Sequence, residues 1–228
     1  MNSEKIKKYI PHFLLVIYEN IRIKQRNSLK NLEKEYNNWL SKGKPAPPPH
    51  VVKQKAVEEF KNRFKLNTLI ETGTFLGDMV FSQKENFDKL ISIELDNTLY
   101  KDAKNKFKKF NNIEIVHGDS GKILNKICSN LNEPCLFWLD GHYSAGFTAK
   151  GELESPVMAE LESIFGNDID HIILIDDARC FNGENDYPAL PLLKSVVLSK
   201  RKDYTMEVAD DIIRFYPVKN KLSNSIKA

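Results

Sequence analysis

Between residues 68 and 177 five short apolar runs alternate with helical patterns, and each run ends at a carboxylate. The runs are Thr68-Leu69-Ile70, Leu90-Ile91-Ser92-Ile93, Ile113-Glu114-Ile115-Val116, Leu136-Phe137-Trp138-Leu139 and His171-Ile172-Ile173-Leu174-Ile175. Runs this short and this apolar read as strands buried on both faces. The stretches after the second to fifth runs repeat apolar residues at three- and four-residue steps: Leu99 to Phe107, Lys122 to Leu131, Pro156 to Phe165 and Leu190 to Leu198. Pro156 suits a first helical position, with Ser155 as its cap. Strands alternating with helices build right-handed βαβ units and hence a doubly wound, mostly parallel sheet. Near the end, Tyr204 to Val208 and Ile212 to Tyr216 flank Asp210-Asp211, which predicts an antiparallel hairpin. The fold class is α/β.

Ahead of this pattern the composition changes. Residues 1–55 carry 12 Lys or Arg against 4 Asp or Glu, whereas the rest of the chain is acidic, with 22 against 27. Phe13, Val16, Ile17, Ile21, Leu29, Leu32, Tyr36, Trp39 and Leu40 recur at helical spacing. Lys44-Pro45-Ala46-Pro47-Pro48-Pro49-His50 then interrupts any helix, because proline fixes φ and restricts the residue before it. The organisation expected is a helical N-terminal extension over 1–43, an extended Pro-rich connector over 44–50 and a main domain over 51–228. Val52, Ala56, Phe60 and Phe64 form one helix face at its start. The N-terminal helices would suit a homodimer contact.

Several classes are set aside by simple counts. The net charge of +3 is too small to argue for nucleic acid. The apolar run from Ile10 to Tyr18 falls short of the roughly 20 residues of a membrane helix. Cys128, Cys135 and Cys180 are odd in number and form no CxxC pair, so neither a disulfide framework nor a zinc site is expected. A cytoplasmic location follows as the expectation.

In a sheet of this kind ligands bind beyond the carboxyl ends of the strands. The five runs deliver Glu71, Glu94, Asp119, Asp140 and the pair Asp176-Asp177 to that edge. Their mutual repulsion is costly, so the cluster points to function. The first loop, Glu71-Thr72-Gly73-Thr74-Phe75-Leu76-Gly77-Asp78, has two glycines four apart and no GxGxxG. Gly73 permits a tight turn and a close backbone approach to a ligand. Glu94 lies 21 residues after Gly73, where an acid accepts hydrogen bonds from two ribose hydroxyls. This pair fits an adenosine-type ligand, a dinucleotide or S-adenosylmethionine. An acid at Glu71 repels a pyrophosphate and holds an ammonium, which favours S-adenosylmethionine. Asp119 then falls where an adenine amino group is read.

The order Glu71-x-Gly73-x-x-x-Gly77, Glu94, Gly118-Asp119-Ser120 and a terminal hairpin resembles the class I S-adenosylmethionine-dependent methyltransferases, over roughly residues 56–217. The resemblance implies a Rossmann-like methyltransferase fold. It puts Gly73 with its neighbours Thr72 and Thr74 at the methionine moiety, Glu94 at the ribose, and Asp119 with Ser120 near the adenine. Phe75 stands where many members carry a second glycine. Phe137-Trp138-Leu139-Asp140-Gly141-His142-Tyr143 and Ile175-Asp176-Asp177 are similar to the metal-dependent O-methyltransferases of catechols and macrolide sugars. That likeness implies Mg²⁺ held by Asp140, Asp176 and Asp177, and hard carboxylate oxygens are the ligands this ion takes.

The activity expected is transfer of a methyl group to a hydroxyl of a sugar or other small molecule. His142 is the candidate base, since its ordinary pKa lies near neutrality, and Asp140 is the alternative. The glycine-containing loop from Gly141 to Ser155 is long enough to serve as a lid. Arg179 either binds an anionic group of the substrate or neutralises the acids. A nicotinamide-dependent oxidoreductase is the rival reading, disfavoured by the missing GxGxxG. A non-enzymatic interaction protein is the other, disfavoured by the stacked acids.

Overall fold

A computed structural model describes residues 21–25, 27–141 and 155–218. Residues 21–25 are helical. Helix α1 spans Leu29–Ser41 and α2 His50–Phe64; then β1 (Thr68–Thr72), α3 (Asp78–Gln83), β2 (Lys89–Glu94), α4 (Asn97–Phe107), β3 (Ile113–His117), α5 (Ser120–Cys128), β4 (Leu136–Leu139), α6 (Val157–Ile164) and β5 (Ile172–Ile175) alternate. A 3₁₀ turn at Ala178–Cys180, α7 (Leu190–Lys200), β6 (Tyr204–Ala209) and β7 (Ile212–Pro217) complete the domain.

The seven strands form one sheet in the order β3-β2-β1-β4-β5-β7-β6. The first five are parallel, and β7 joins β5 antiparallel as one arm of the expected hairpin. Every residue of β1, β4 and β5 is buried, as strands covered on both faces must be. Period-two alternation then sorts their side chains into two cores. Ile70, Phe137, Leu139, Ile173 and Ile175 pack with Leu124 of α5, Leu161 of α6 and Leu193 of α7. Leu69, Leu136, Trp138, Ile172 and Leu174 pack with Val57 and Phe60 of α2, Val80 of α3 and Phe107 of α4. By contrast β3, at the sheet edge, keeps no fully buried residue.

Two local expectations are corrected. Pro156 itself occupies the cap position of α6, its carbonyl accepting from the Glu160 N–H, and no side chain caps the helix, so Ser155 is not the cap. The Pro-rich segment is folded back rather than extended. Gly43 and Lys44 take left-handed φ values of 79° and 59°, the Lys44 N–H donates to the Trp39 carbonyl, and Trp39 Nε1 donates to the Pro45 carbonyl at 2.9 Å. Trp39 then packs with Val51 and Val52 at the start of α2, so α1 lies on the helix that opens the main domain. All three cysteines are free, and burial pushes the Cys128 and Cys135 thiols up to about 12, which leaves them unreactive. Among the described residues no helix is long and apolar enough to cross a membrane.

Candidate functional site

Strand order decides where the crevice lies. From β1 the chain proceeds outward to β2 and β3; from β4 it proceeds the other way to β5. The reversal between β1 and β4 is a topological switch point, where connections diverge and leave an opening at the carboxyl edge. Two chain segments meet there. The Asp140 N–H donates to the Thr72 carbonyl at 3.0 Å. Gly73, at φ 86°, passes so close that a Cβ added to it would lie 2.4 Å from the Asp140 carbonyl oxygen. Gly141 is similarly wedged, with its would-be Cβ 3.1 Å from Thr72 Oγ1 and 3.3 Å from Glu160 Oε1. The Thr72 hydroxyl is buried there without a hydrogen-bond partner.

Glu94, at the end of β2, is 5% exposed. Its two oxygens accept from the backbone N–H groups of Phe75 at 2.7 Å and Asp96 at 2.9 Å. Burial raises its pKa above the ordinary value, and those backbone donors oppose the rise. Each carboxylate oxygen retains a lone pair for a further donor. Phe75 holds a left-handed φ of 46° despite its side chain, so the loop takes the turn that a glycine would normally provide. Gly77 does the same at φ 75°, and any Cβ there would meet the Phe107 ring at 2.7 Å.

Glu71 is placed differently from the expectation. It lies inside β1, not in the loop, and is 2% exposed. Ser92, its register partner on β2, donates to it at 2.5 Å and also meets the Thr74 hydroxyl at 2.6 Å. Burial, with Asp140, Glu94 and Asp78 adding repulsion, holds its pKa well above the carboxylate range, against the pull of the Ser92 bond. Burial thus disfavours the charged form, and Glu71 ties the loop to β2 through Ser92 and Thr74.

Asp119 caps α5 by accepting from the Gly121 N–H at 3.0 Å and lies 3.5 Å from Lys122. Ser120 is 8% exposed and donates to Glu160 Oε1 at 2.6 Å. His117 stacks on Tyr100 of α4, with ring centroids 5.0 Å apart. His142 lies outside the described residues, as does most of the loop expected to act as a lid.

Two residues not singled out in the sequence reach this edge. Glu160, 1% exposed, lines a small pocket at the ends of β4 and β5 together with Leu139, Gly141, Asp176, Phe181 and Tyr187. Its signal was an acid three residues after Val157 and four before Ile164, on the face that α6 buries. Lys53, in the first turn of α2, forms an ion pair with Asp176 Oδ2. No local pattern joins residues 123 positions apart. Burial opposes the Lys53 charge, but Asp140, Asp176 and Asp177 outweigh it and hold the ammonium above its ordinary pKa. Arg179 pairs with Asp177 at 2.8 Å and with Asp211, which is the neutralising role of the two weighed for it.

This arrangement tests the two expected ligands separately. Glu94, oriented by main-chain donors, and the Thr72 hydroxyl, buried without a hydrogen-bond partner, are the groups at this edge that could hold an adenosyl ligand. The donor set for a divalent ion does not fit. Among the described residues no three Asp, Glu, His or Cys side chains gather to hold a metal, and the acids nearest to doing so are already paired, Asp176 with Lys53 and Asp177 with Arg179.

No family model matches the chain, and no curated protein matches it. Solved structures do. An O-methyltransferase from Bacillus cereus in complex with SAH matches at a TM-score of 0.56 and 13% identity, over 84% of this chain and 92% of that one. A methyltransferase of Podospora anserina, SAH-bound, matches at 0.51 and 14%, over 95% and 97%. An O-methyltransferase from Streptomyces achromogenes involved in tomaymycin synthesis, in complex with SAM, matches at 0.51 and 14%, over 82% and 88%. The chain therefore has the Rossmann-like methyltransferase fold.

Proposed function

We propose that this protein is an S-adenosylmethionine-dependent O-methyltransferase acting on a hydroxyl of a small molecule. The observation that carries the reading is Glu94: a buried carboxylate at the end of β2, aimed by the Phe75 and Asp96 N–H groups beside the switch-point crevice. Two acceptor oxygens held in this way suit vicinal ribose hydroxyls. When bound, S-adenosylmethionine supplies an electrophilic methyl group. The protein's task is to align the acceptor oxygen with that carbon and to take up the hydroxyl proton. Asp140 enters the crevice from β4 and, with His142 two residues on, is the candidate for the proton. Glu160 and Tyr187 bring polar groups to the small pocket beside it, a lining that suits a hydroxylated acceptor.

A sugar as that acceptor rests on the sequence resemblance. So does magnesium at Asp140, Asp176 and Asp177, and the position of Lys53 speaks against that part.

Calorimetric titration with S-adenosylhomocysteine tests the reading, with NADH titrated in parallel. Micromolar binding of the first, lost in Glu94→Ala, is the expected result. Binding of NADH instead, or of neither, rejects it. Once an acceptor has been found by screening, His142→Ala should lower kcat by about 10²–10⁴-fold if His142 is the base. A loss smaller than tenfold would assign the proton to Asp140.

A further inference from the structure

The acid cluster at the ends of β4 and β5 already contains a cation. Lys53 Nζ meets Asp176 Oδ2, and the side chains are 17% and 0% exposed respectively. The charges of Asp140 and Asp177 act on the same ammonium. Lys53 is not a wandering surface lysine: Val51, Val52, Ala56 and Val57 around it on α2 are all buried, so the helix cannot turn it away. The second oxygen of Asp176 is buried without a hydrogen-bond partner. A carboxylate so placed is costly to leave uncompensated, and a lysine ammonium is a compact point charge suited to compensate it.

We infer that Lys53 is a resident cation of this cluster, paired with Asp176 as Arg179 is with Asp177, and stands in for the divalent metal ion that the resemblance implies at Asp140, Asp176 and Asp177. The inference builds on the acceptor site proposed above. Magnesium requires several oxygens in near-octahedral array. The ammonium on Asp176 removes one oxygen from the set and repels the incoming ion. The two cations are therefore alternatives, and this chain carries its own.

Manganese titration, followed by the electron paramagnetic resonance signal of the free ion, tests this. The wild-type protein should leave the signal unchanged up to about millimolar metal, a range weaker than sensor-type cation sites. Lys53→Met should bind at least about tenfold more tightly than wild type, a modest gain for deleting an adjacent unit charge. Lys53→Arg should behave as wild type. Micromolar binding by the wild type that is lost in Asp176→Asn overturns the inference, and so does a Lys53→Met protein that gains no affinity. If Lys53→Met is too unstable to titrate, its melting curve decides: manganese should raise its Tm and leave the wild type unmoved, and equal shifts overturn the inference. S-adenosylhomocysteine titrated against the same proteins separates the two readings. Failure there falls on the methyltransferase proposal, because the manganese readout needs neither ligand nor acceptor.

Discussion

Single side chains at this edge do work that their residue type alone does not announce. Glu94 is a carboxylate whose two oxygens are already oriented by main-chain donors. Glu94→Gln keeps its shape and removes its charge, and should weaken S-adenosylhomocysteine by about 10- to 100-fold, the range for losing charge-assisted hydrogen bonds. Calorimetry on the variant checks this, and an unchanged affinity would remove Glu94 from the ligand site. His171 illustrates a polar side chain with a purely structural role. It is fully buried at the start of β5, its Nδ1 accepts the Cys135 N–H at 3.1 Å, and its ring meets Phe137 edge-on. Burial, with a smaller repulsion from Arg201, pushes its pKa down to about 4. Above about pH 6.5 the ring is neutral in both folded and unfolded chains. Between that value and about 4 only the unfolded chain takes up the proton, so stability falls as the pH drops through this window, by up to about 3 kcal/mol. Urea unfolding at pH 7 and pH 5 should record the decline, and His171→Gln should flatten it. Glu71 has the opposite sign. Its raised pKa means that the folded chain holds a proton the unfolded chain releases, so its contribution is lost as the pH rises above the ordinary carboxylate value.

At the scale of elements, the loop from Gly73 to Gly77 is held by its neighbours as well as by its own turn. The Ile93 carbonyl accepts from both the Gly73 and Thr74 N–H groups, Glu94 takes the Phe75 N–H, and the Gly77 N–H returns to Thr74. Positive φ at Gly73, Phe75 and Gly77 bends it over the end of β1. Gly73→Ala adds a left-handed penalty of roughly 1–2 kcal/mol and places a methyl group against the Asp140 carbonyl. The variant should lose more than about 2 kcal/mol in urea unfolding, as strained substitutions at such positions do. It should lose S-adenosylhomocysteine binding as well. A Gly73→Ala protein of wild-type stability would mean that β1 and β4 do not meet as described. Lys53 belongs to this scale too. Helical period places Val52 against Trp39 and Ala56 in the core, and Lys53 is carried to the acid cluster by the way α2 docks.

Across the whole molecule, α1 and the Pro-rich turn form a satellite around Trp39, Val51 and Val52, separate from the two cores that flank the sheet. Trp39→Ala removes a side chain 4% exposed, together with its bond to the Pro45 carbonyl. Hydrogen exchange should show lost protection over residues 29–52 and unchanged protection in β1, β4 and β5, because local unfolding follows contiguous packed units. Equal loss in the central strands would mean that the satellite and the sheet unfold together. The five apolar runs and the terminal hairpin were legible in the sequence because strand burial and turn chemistry are local properties, repeated every few residues. So were the acids at the strand ends, since a parallel strand always delivers its last residue to the same edge. The pairing of those acids was not legible. Ser92 with Glu71, Ser120 with Glu160 and Lys53 with Asp176 join residues 21, 40 and 123 positions apart. Such contacts depend on strand order, register and the docking of α2, none of which leaves a periodic trace in the chain. The sequence by itself determined the layered α/β architecture and the carboxylate-lined edge. Only the tertiary structure decided which of those carboxylates are aimed by main-chain donors, which are neutralised by a protein cation and which are buried within the sheet, because charge and burial at a point are set by whatever the rest of the chain brings there.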